Sequence, residues 1–233
     1  MSTSRRDFVQ LSILAGGAAG LGFGKKAEAE THPAGTASKK MKILVLGGTG
    51  LIGPPMVEYA IARGHEVTLF NRGKTKPHLF PELEKLKGDR ADDLASIEPA
   101  IAAGKRWDAV IDNTAMIPRW VSDSAGLLKD AADFYLYTSS ISAYADSSVP
   151  NADETAPVGQ ISPEDEAKVL TNKDITGENY GPLKARCEAE ARKAFGDDHT
   201  CVVRPGLIVG PGDYSDRFTY WPVRIYKGGE VMA

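Results

Sequence analysis

The chain has 233 residues, of which 42% are hydrophobic and 25% charged, with a net charge of −3. That length predicts one or two domains with a full hydrophobic core. The acidic balance argues against a nucleic-acid partner. Two cysteines, Cys187 and Cys201, exclude a disulfide framework and read as buried free thiols.

Residues 1–29 differ in kind from the rest. Arg5 and Arg6 precede an apolar, glycine-rich run to Phe23, and Ala27-Glu28-Ala29 supplies a small-x-small cleavage pattern. The run is too short and too rich in glycine for a stable membrane span. Ser4-Arg5-Arg6-Asp7-Phe8-Val9 resembles the core of a twin-arginine export signal. The resemblance implies export of an already folded protein to the periplasm or another extracytoplasmic site. Residues 30–40 read as a solvated linker, which leaves 41–233 as the folded domain.

From Met41, short apolar runs alternate with helical stretches. KILVLG is unbroken, as expected of a strand buried on both faces. A helix follows from Leu51 to Arg63, then the strands EVTLFN and LEKLKGD, then a helix from Asp92 to Ala103. The fourth strand is DAVIDNTA, followed by a helix near Val121 to Ala132, and the fifth is FYLYTSS. An acidic loop from Ala145 to Glu178 reads as a lid. The helix carrying YGPLK comes next, then the strand and exit TCVVRPGLIVG, and a last helix from about Asp216 to Lys227. This alternation predicts an α/β fold, a doubly wound parallel sheet with helices on both faces.

Three places carry chemistry. Gly48-Thr49-Gly50-Leu51-Ile52-Gly53 satisfies G-x-G-x-x-G, and Gly47, Gly50 and Gly53 satisfy the wider glycine spacing. The motif lies between a predicted strand and helix, where a tight turn brings backbone and helix dipole to a dinucleotide pyrophosphate. At the end of the second strand Asn71 stands where an acid commonly reads a ribose 2′-hydroxyl. Arg72, Lys74 and Lys76 follow; they favour the 2′-phosphate of NADP over NAD, or else form a plain basic surface loop. Tyr180 and Lys184 are one helical turn apart. Their pattern alone does not choose between an acid/base pair and two solvated side chains.

In order and spacing these pieces resemble the short-chain dehydrogenase/reductase superfamily in its extended NAD-dependent epimerase/dehydratase branch, over nearly all of Met41 to Ala233. The resemblance implies an NAD(P)-binding Rossmann fold with the cofactor over Gly47, Gly48, Thr49, Gly50, Leu51, Ile52 and Gly53. It places Asn71 and Arg72 at the ribose, and Asp89 and Arg90 of KGDR at the adenine. Asn113, Thr114 and Ala115 then line the cofactor, as does Pro205 after Arg204. Alignment of YTSSISAY on Tyr144 makes Ser140 the catalytic serine, with Thr138 and Ser139 as neighbouring candidates. Tyr180 exchanges a proton with a substrate hydroxyl, its phenolate favoured by the lysine cation and by an oxidised nicotinamide. Lys184 also holds the nicotinamide ribose, and Ser140 hydrogen-bonds the same substrate oxygen.

The implied activity is oxidation, reduction, epimerisation or dehydration at a hydroxyl/carbonyl carbon of a sugar-like or other small molecule, with a homodimer through the helices flanking the fifth strand. DNTA replaces the more usual HLAA, which sets Asp112 and Asn113 near the nicotinamide. Extended members continue further, so the chain reads as a fragment or as a protein with an unusually open pocket. A different class is suggested by GHEVTLFNRGKTKPHLFPELEKLKGDR, which is similar to chloroplast stem-loop RNA-binding proteins; a non-catalytic nucleotide-binding redox sensor is a further alternative. Retention of Ser140, Tyr180 and Lys184 together favours the enzyme.

Overall fold

The computed structural model describes residues 35–230 except 114, 173 and 211. The export-signal reading of residues 1–29 and the cofactor reading of Thr114 therefore lie outside the described residues. Six strands form one parallel sheet: β1 (Lys42–Leu46), β2 (Glu66–Asn71), β3 (Glu84–Lys87), β4 (Ala109–Asp112), β5 (Tyr135–Thr138) and β6 (Thr200–Val203). Their order is β3-β2-β1-β4-β5-β6, so the chain reverses direction across the sheet between β1 and β4. In open α/β sheets that crevice is where ligands bind.

The apolar run of β1 follows from its position at the sheet centre. Leu44 and Leu46 join one core cluster while Ile43 and Val45 join the other, because alternate strand side chains point to opposite faces. The first face is covered by α2 (Ile97–Ala102), α3 (Pro118–Leu128) and α5 (Gly177–Phe195), through Ile97, Val121, Ala125, Leu128, Cys187 and Ala191. The second face is covered by α1 (Gly53–Ala62), through Val57 and Ala60. The doubly wound sheet expected from the sequence is the observed architecture.

Several boundaries shift for local reasons. α1 begins at Gly53, not Leu51, with Pro54 and Pro55 in its first turn, where a missing N–H costs least. α3 begins at Pro118 and stops at Leu128, because Ala132 pairs instead with Trp107 beside the sheet. α2 is half its expected length, since the Asp89–Asp93 bridge takes up the preceding segment. The last helix, α6 (Tyr220–Lys227), is shorter than expected, and none of its residues is buried.

The segment 145–178 departs furthest from expectation. It contains the helix α4 (Pro163–Asn172), whose Val169 is buried with Ile117 and Leu183, and whose Glu166 accepts a hydrogen bond from Arg186 Nε at 3.1 Å. The segment is thus packed against α5 and is not among the residues that line the central cleft. Both cysteines are free, but only Cys187 is buried. Cys201 is half-buried because β6 is an edge strand. Among the described residues, no helix is long and apolar enough to cross a membrane.

Candidate active site

At the carboxyl ends of the strands lies a cleft of about 780 Å³. Gly47, Thr49, Gly50, Leu51 and Ile52 line one end of it, Asn71, Arg72, Asp89 and Arg90 line a flank, and Asn113, Tyr180 and Lys184 also border it. Most of the candidate residues are thus brought to one space by the strand ends of the sheet.

The glycine turn is shaped for this. Gly47 adopts φ +93°, a region closed to most side chains. A Cβ on Gly53 would lie 2.4 Å from the Gly48 carbonyl carbon, so the start of α1 can rest on the turn only without one. Gly53 and Gly48 build the turn from behind and do not line the cleft. Gly50 differs: a Cβ there would meet nothing within 4 Å. Pro54 and Pro55 carry no N–H, so an anion at this helix start is met by the amides before Pro54.

At the end of β2, Asn71 Oδ1 accepts from the Gly73 N–H at 3.0 Å, while its Nδ2 is buried without a protein partner. Arg72 stands half-exposed, 4.0 Å from Asp89, and Lys74 also borders the cleft. Arg90 touches the cleft, but its guanidinium is spent inside the protein. It is paired with Asp112 and donates to Trp120 O (3.1 Å) and Ser124 Oγ (2.8 Å). Asp112 is fully buried, and Tyr135 donates its hydroxyl to it at 2.6 Å. Asp112, expected near the nicotinamide side with Asn113, does not line the cleft: its carboxylate turns inward and anchors the core beneath it. Burial works to raise its pKa, but the Arg90 charge and the hydrogen bonds from Arg90 and Tyr135 hold it below the ordinary carboxylate value. Asn113 does reach the cleft, where its Oδ1 accepts from Thr138 Oγ1 at 2.9 Å.

α5 carries the remaining polar pair. A reciprocal cap starts the helix: Asn179 N–H donates to Thr176 Oγ1, and Thr176 N–H to Asn179 Oδ1. This fixes Tyr180 in the first turns, half-buried at the cleft. Gly181 then meets the 3₁₀ turn Ile141–Ala143 at very close range, since a Cβ there would lie 1.9 Å from Ser142 O. Lys184 is 3% exposed and donates to Thr138 O at 2.6 Å and Ala115 O at 3.0 Å, with the Tyr137 ring centroid 4.3 Å from its ammonium. Burial pushes this ammonium down to about 8, and Cys187, Asp112 and Glu188 act in the opposite direction.

The serines divide the labour. Ser140 Oγ accepts from Ser142 N–H at 3.1 Å and caps the 3₁₀ turn. Ser139, not Ser140, lines the cleft, and its hydroxyl is given to Glu188 at 2.5 Å. Ala115 and Pro205 do not line the cleft. The Ala115 carbonyl accepts from Lys184 and from Tyr137, and the Pro205 carbonyl accepts from the Ile141 N–H. After β6 it is Ile208, Tyr214 and Arg217 that reach the cleft instead. Gly181 and Glu188 were legible in principle. A glycine inside a helix signals close packing, and Lys184 and Glu188 are four residues apart on one face.

The chain is 24% identical over 200 residues to the epimerase family protein SDR39U1 of Bos taurus; the match covers 82% of this chain and 62% of that protein. It therefore spans less than two thirds of that relative. Over 66 residues, 28% of this chain, it is 38% identical to the chloroplast stem-loop binding protein of 41 kDa b of Arabidopsis thaliana, covering 16% of that protein. In fold it is similar to the Bordetella bronchiseptica enzyme WbmH, solved with NAD+, with a TM-score of 0.60 at 18% identity over 82% of this chain and 64% of the other. The sequence model of the NAD dependent epimerase/dehydratase family matches residues 43–232. That span takes in the glycine turn, the face of α5 that carries Tyr180 and Lys184, and the exit of β6, and the chain belongs to this family.

Proposed function

We propose that this chain binds a nicotinamide dinucleotide in the cleft and uses it to oxidise, reduce, epimerise or dehydrate a small, sugar-like hydroxyl/carbonyl compound. One observation carries the reading: a single cleft runs from a glycine turn with open space over Gly50 to the Tyr180 and Lys184 side chains. The residues present fit such a cofactor. The space over Gly50 suits a pyrophosphate, and the unpartnered Nδ2 of Asn71 offers a donor to ribose oxygens. Arg72 and Lys74 beside it favour a 2′-phosphate, hence NADP over NAD.

When bound, the nicotinamide accepts or returns a hydride. Lys184 supplies a positive charge on the Tyr180 side of the cleft and a donor for the nicotinamide ribose. Tyr180 exchanges the proton of the substrate hydroxyl, and Ser140, at the mouth of the 3₁₀ turn, hydrogen-bonds the substrate oxygen. Residues 1–29 direct export by the twin-arginine route, which would deliver the folded protein with its cofactor already inside.

Turnover of a panel of sugars and alcohols with NADP and NAD, read by nicotinamide absorbance, tests this. Tyr180→Phe, which keeps the ring and loses the hydroxyl, is expected to reduce turnover by about 100-fold or more with dinucleotide affinity little changed. Equal turnover by Tyr180→Phe and wild type would remove Tyr180 from the chemistry.

A further inference from the structure

We propose that Glu188, braced by Arg204, is a positioning residue for the Lys184 ammonium. One face of α5 grips two consecutive residues at the exit of β5 and so fixes where that ammonium stands in the cleft. Lys184 and Glu188 are four residues apart on α5 and both are buried, at 3% and 4% exposure. Lys184 Nζ holds the Thr138 carbonyl at 2.6 Å, and Glu188 Oε1 holds the Ser139 hydroxyl at 2.5 Å.

Arg204 closes the far side. Its Nε donates to Glu188 Oε1 at 3.0 Å and its Nη2 to Oε2 at 2.7 Å, a fork that leaves the carboxylate little freedom to turn. The guanidinium also lies 4.6 Å from the Tyr144 ring centroid and donates to Glu154 O at 3.3 Å. The β5 exit is held from β6 as well, because the Ser139 N–H donates to Val203 O at 2.7 Å. Two buried side chains of opposite charge thus seize adjacent residues of one strand end, and the pair that pins the second residue also sets the rotation of the helix bearing the first. Ser139 is thus spent in this grip, although it lines the cleft.

The arrangement has an electrical consequence. The ionisable groups that act on Lys184 are Cys187 and Glu188 on α5, Tyr137 on β5, Asp112 on β4, and Arg90 after β3; Tyr180 stands one turn before it on α5 and borders the same cleft. Glu188 favours the charged ammonium. Losing its charge leaves Arg204 without a counterion and lets the ammonium discharge more readily.

The role rests on the proposed reading of Lys184 as a group that meets the nicotinamide half of the cofactor, and two measurements on the full chain separate the ideas. The first is NMR titration of ¹³Cε-labelled lysines, with the Lys184 signal assigned by its loss in Lys184→Arg. Wild type should show a midpoint near 8. Glu188→Gln should lower it, because the carboxylate that favours the charged ammonium is gone. Glu188→Gln with Arg204→Met removes both charges of the pair, so neither is left without its counterion; it should lower the midpoint by less. The second is calorimetric binding of NADP, NAD and the matching adenosine diphosphates, ADP with and without a 2′-phosphate, which lack both the nicotinamide and its ribose. Glu188→Gln should weaken the dinucleotides about tenfold and leave the adenosine diphosphates unchanged, a split that general loosening of the fold would not produce. An unmoved Lys184 midpoint in the folded variants, or equal weakening of all ligands, would overturn the role of Glu188. Failure of wild type to bind any dinucleotide would instead contradict the proposed function, and the titration would still decide the role of Glu188.

Discussion

Gly181→Ala is expected to cost this protein both stability and activity through a single methyl group. The added Cβ would lie 1.9 Å from Ser142 O and 2.9 Å from its carbonyl carbon. Both are backbone atoms of a capped 3₁₀ turn, so no flexible side chain can swing aside. Relief requires α5 and the turn to part by on the order of 1 Å, with an overpacking cost of about 1–3 kcal/mol. The displaced elements are those that carry Tyr180 and Ser140, and a misplacement of that size costs about 100-fold in rate. A control lies in α3: Gly126 is exposed, and a Cβ there meets nothing within 4 Å. Gly126→Ala should stabilise by about 0.4–1 kcal/mol. Urea denaturation and turnover of the two variants check this directly, and a Gly181→Ala protein indistinguishable from wild type would show that the close contact does not set the site.

Asp112→Asn should be the most destabilising polar substitution in the domain. Asp112 is fully buried and serves both the Arg90 guanidinium and the Tyr135 hydroxyl. An amide offers one acceptor oxygen where the Arg90 guanidinium, the Tyr135 hydroxyl and the Ala115 N–H converge, and it leaves the Arg90 charge buried without a counterion. Breaking a pair of this kind costs about 3–5 kcal/mol. Acid dependence follows from the same pair. The Asp112 carboxylate is held below its ordinary value of 3.8. Its contribution to stability is therefore present above the unfolded value and lost as the pH falls through the depressed folded value. Wild type should lose this increment in urea titrations below about pH 4, whereas Asp112→Asn should show a flatter acid limb. A loss under about 1 kcal/mol at neutral pH would mean that the pair is not the anchor described.

Strong periodicity explains what the sequence made legible. β2 was predicted residue for residue, because EVTLFN is short, apolar and flanked by clear turn signals. α4 escaped because its core contribution is one buried valine, Val169, in an otherwise polar helix with an acidic first turn. Its start was nevertheless written in Ser162-Pro163, a capping serine whose Oγ accepts from Asp165 N–H at 3.1 Å, followed by a proline at the first helical position. Asp112 was misplaced for another reason. Strand-end position says that a residue is near the crevice, but not which side of the sheet its side chain takes. Arg90 and Tyr135, 22 and 23 residues away, decide that by recruiting the carboxylate inward. In sequence, only alignment on Tyr144 separates Ser140 from Ser139; that Ser139 is the one turned to the cleft and to α5 depends on Glu188 lying within reach.

Dinucleotide binding by Gly50→Leu tests the central claim most directly. Gly50 lines the cleft, has no left-handed backbone requirement, and faces open space where a Cβ would stand. The fold should accept leucine within about 0.5 kcal/mol, while the side chain fills the place assigned to the pyrophosphate. Titration with NADPH, followed by its fluorescence, should show binding to wild type and a loss of at least about 100-fold in Gly50→Leu at unchanged thermal stability. Equal NADPH affinity in a folded Gly50→Leu protein would contradict the placement of the cofactor over the glycine turn, and with it the proposed roles of Tyr180 and Lys184.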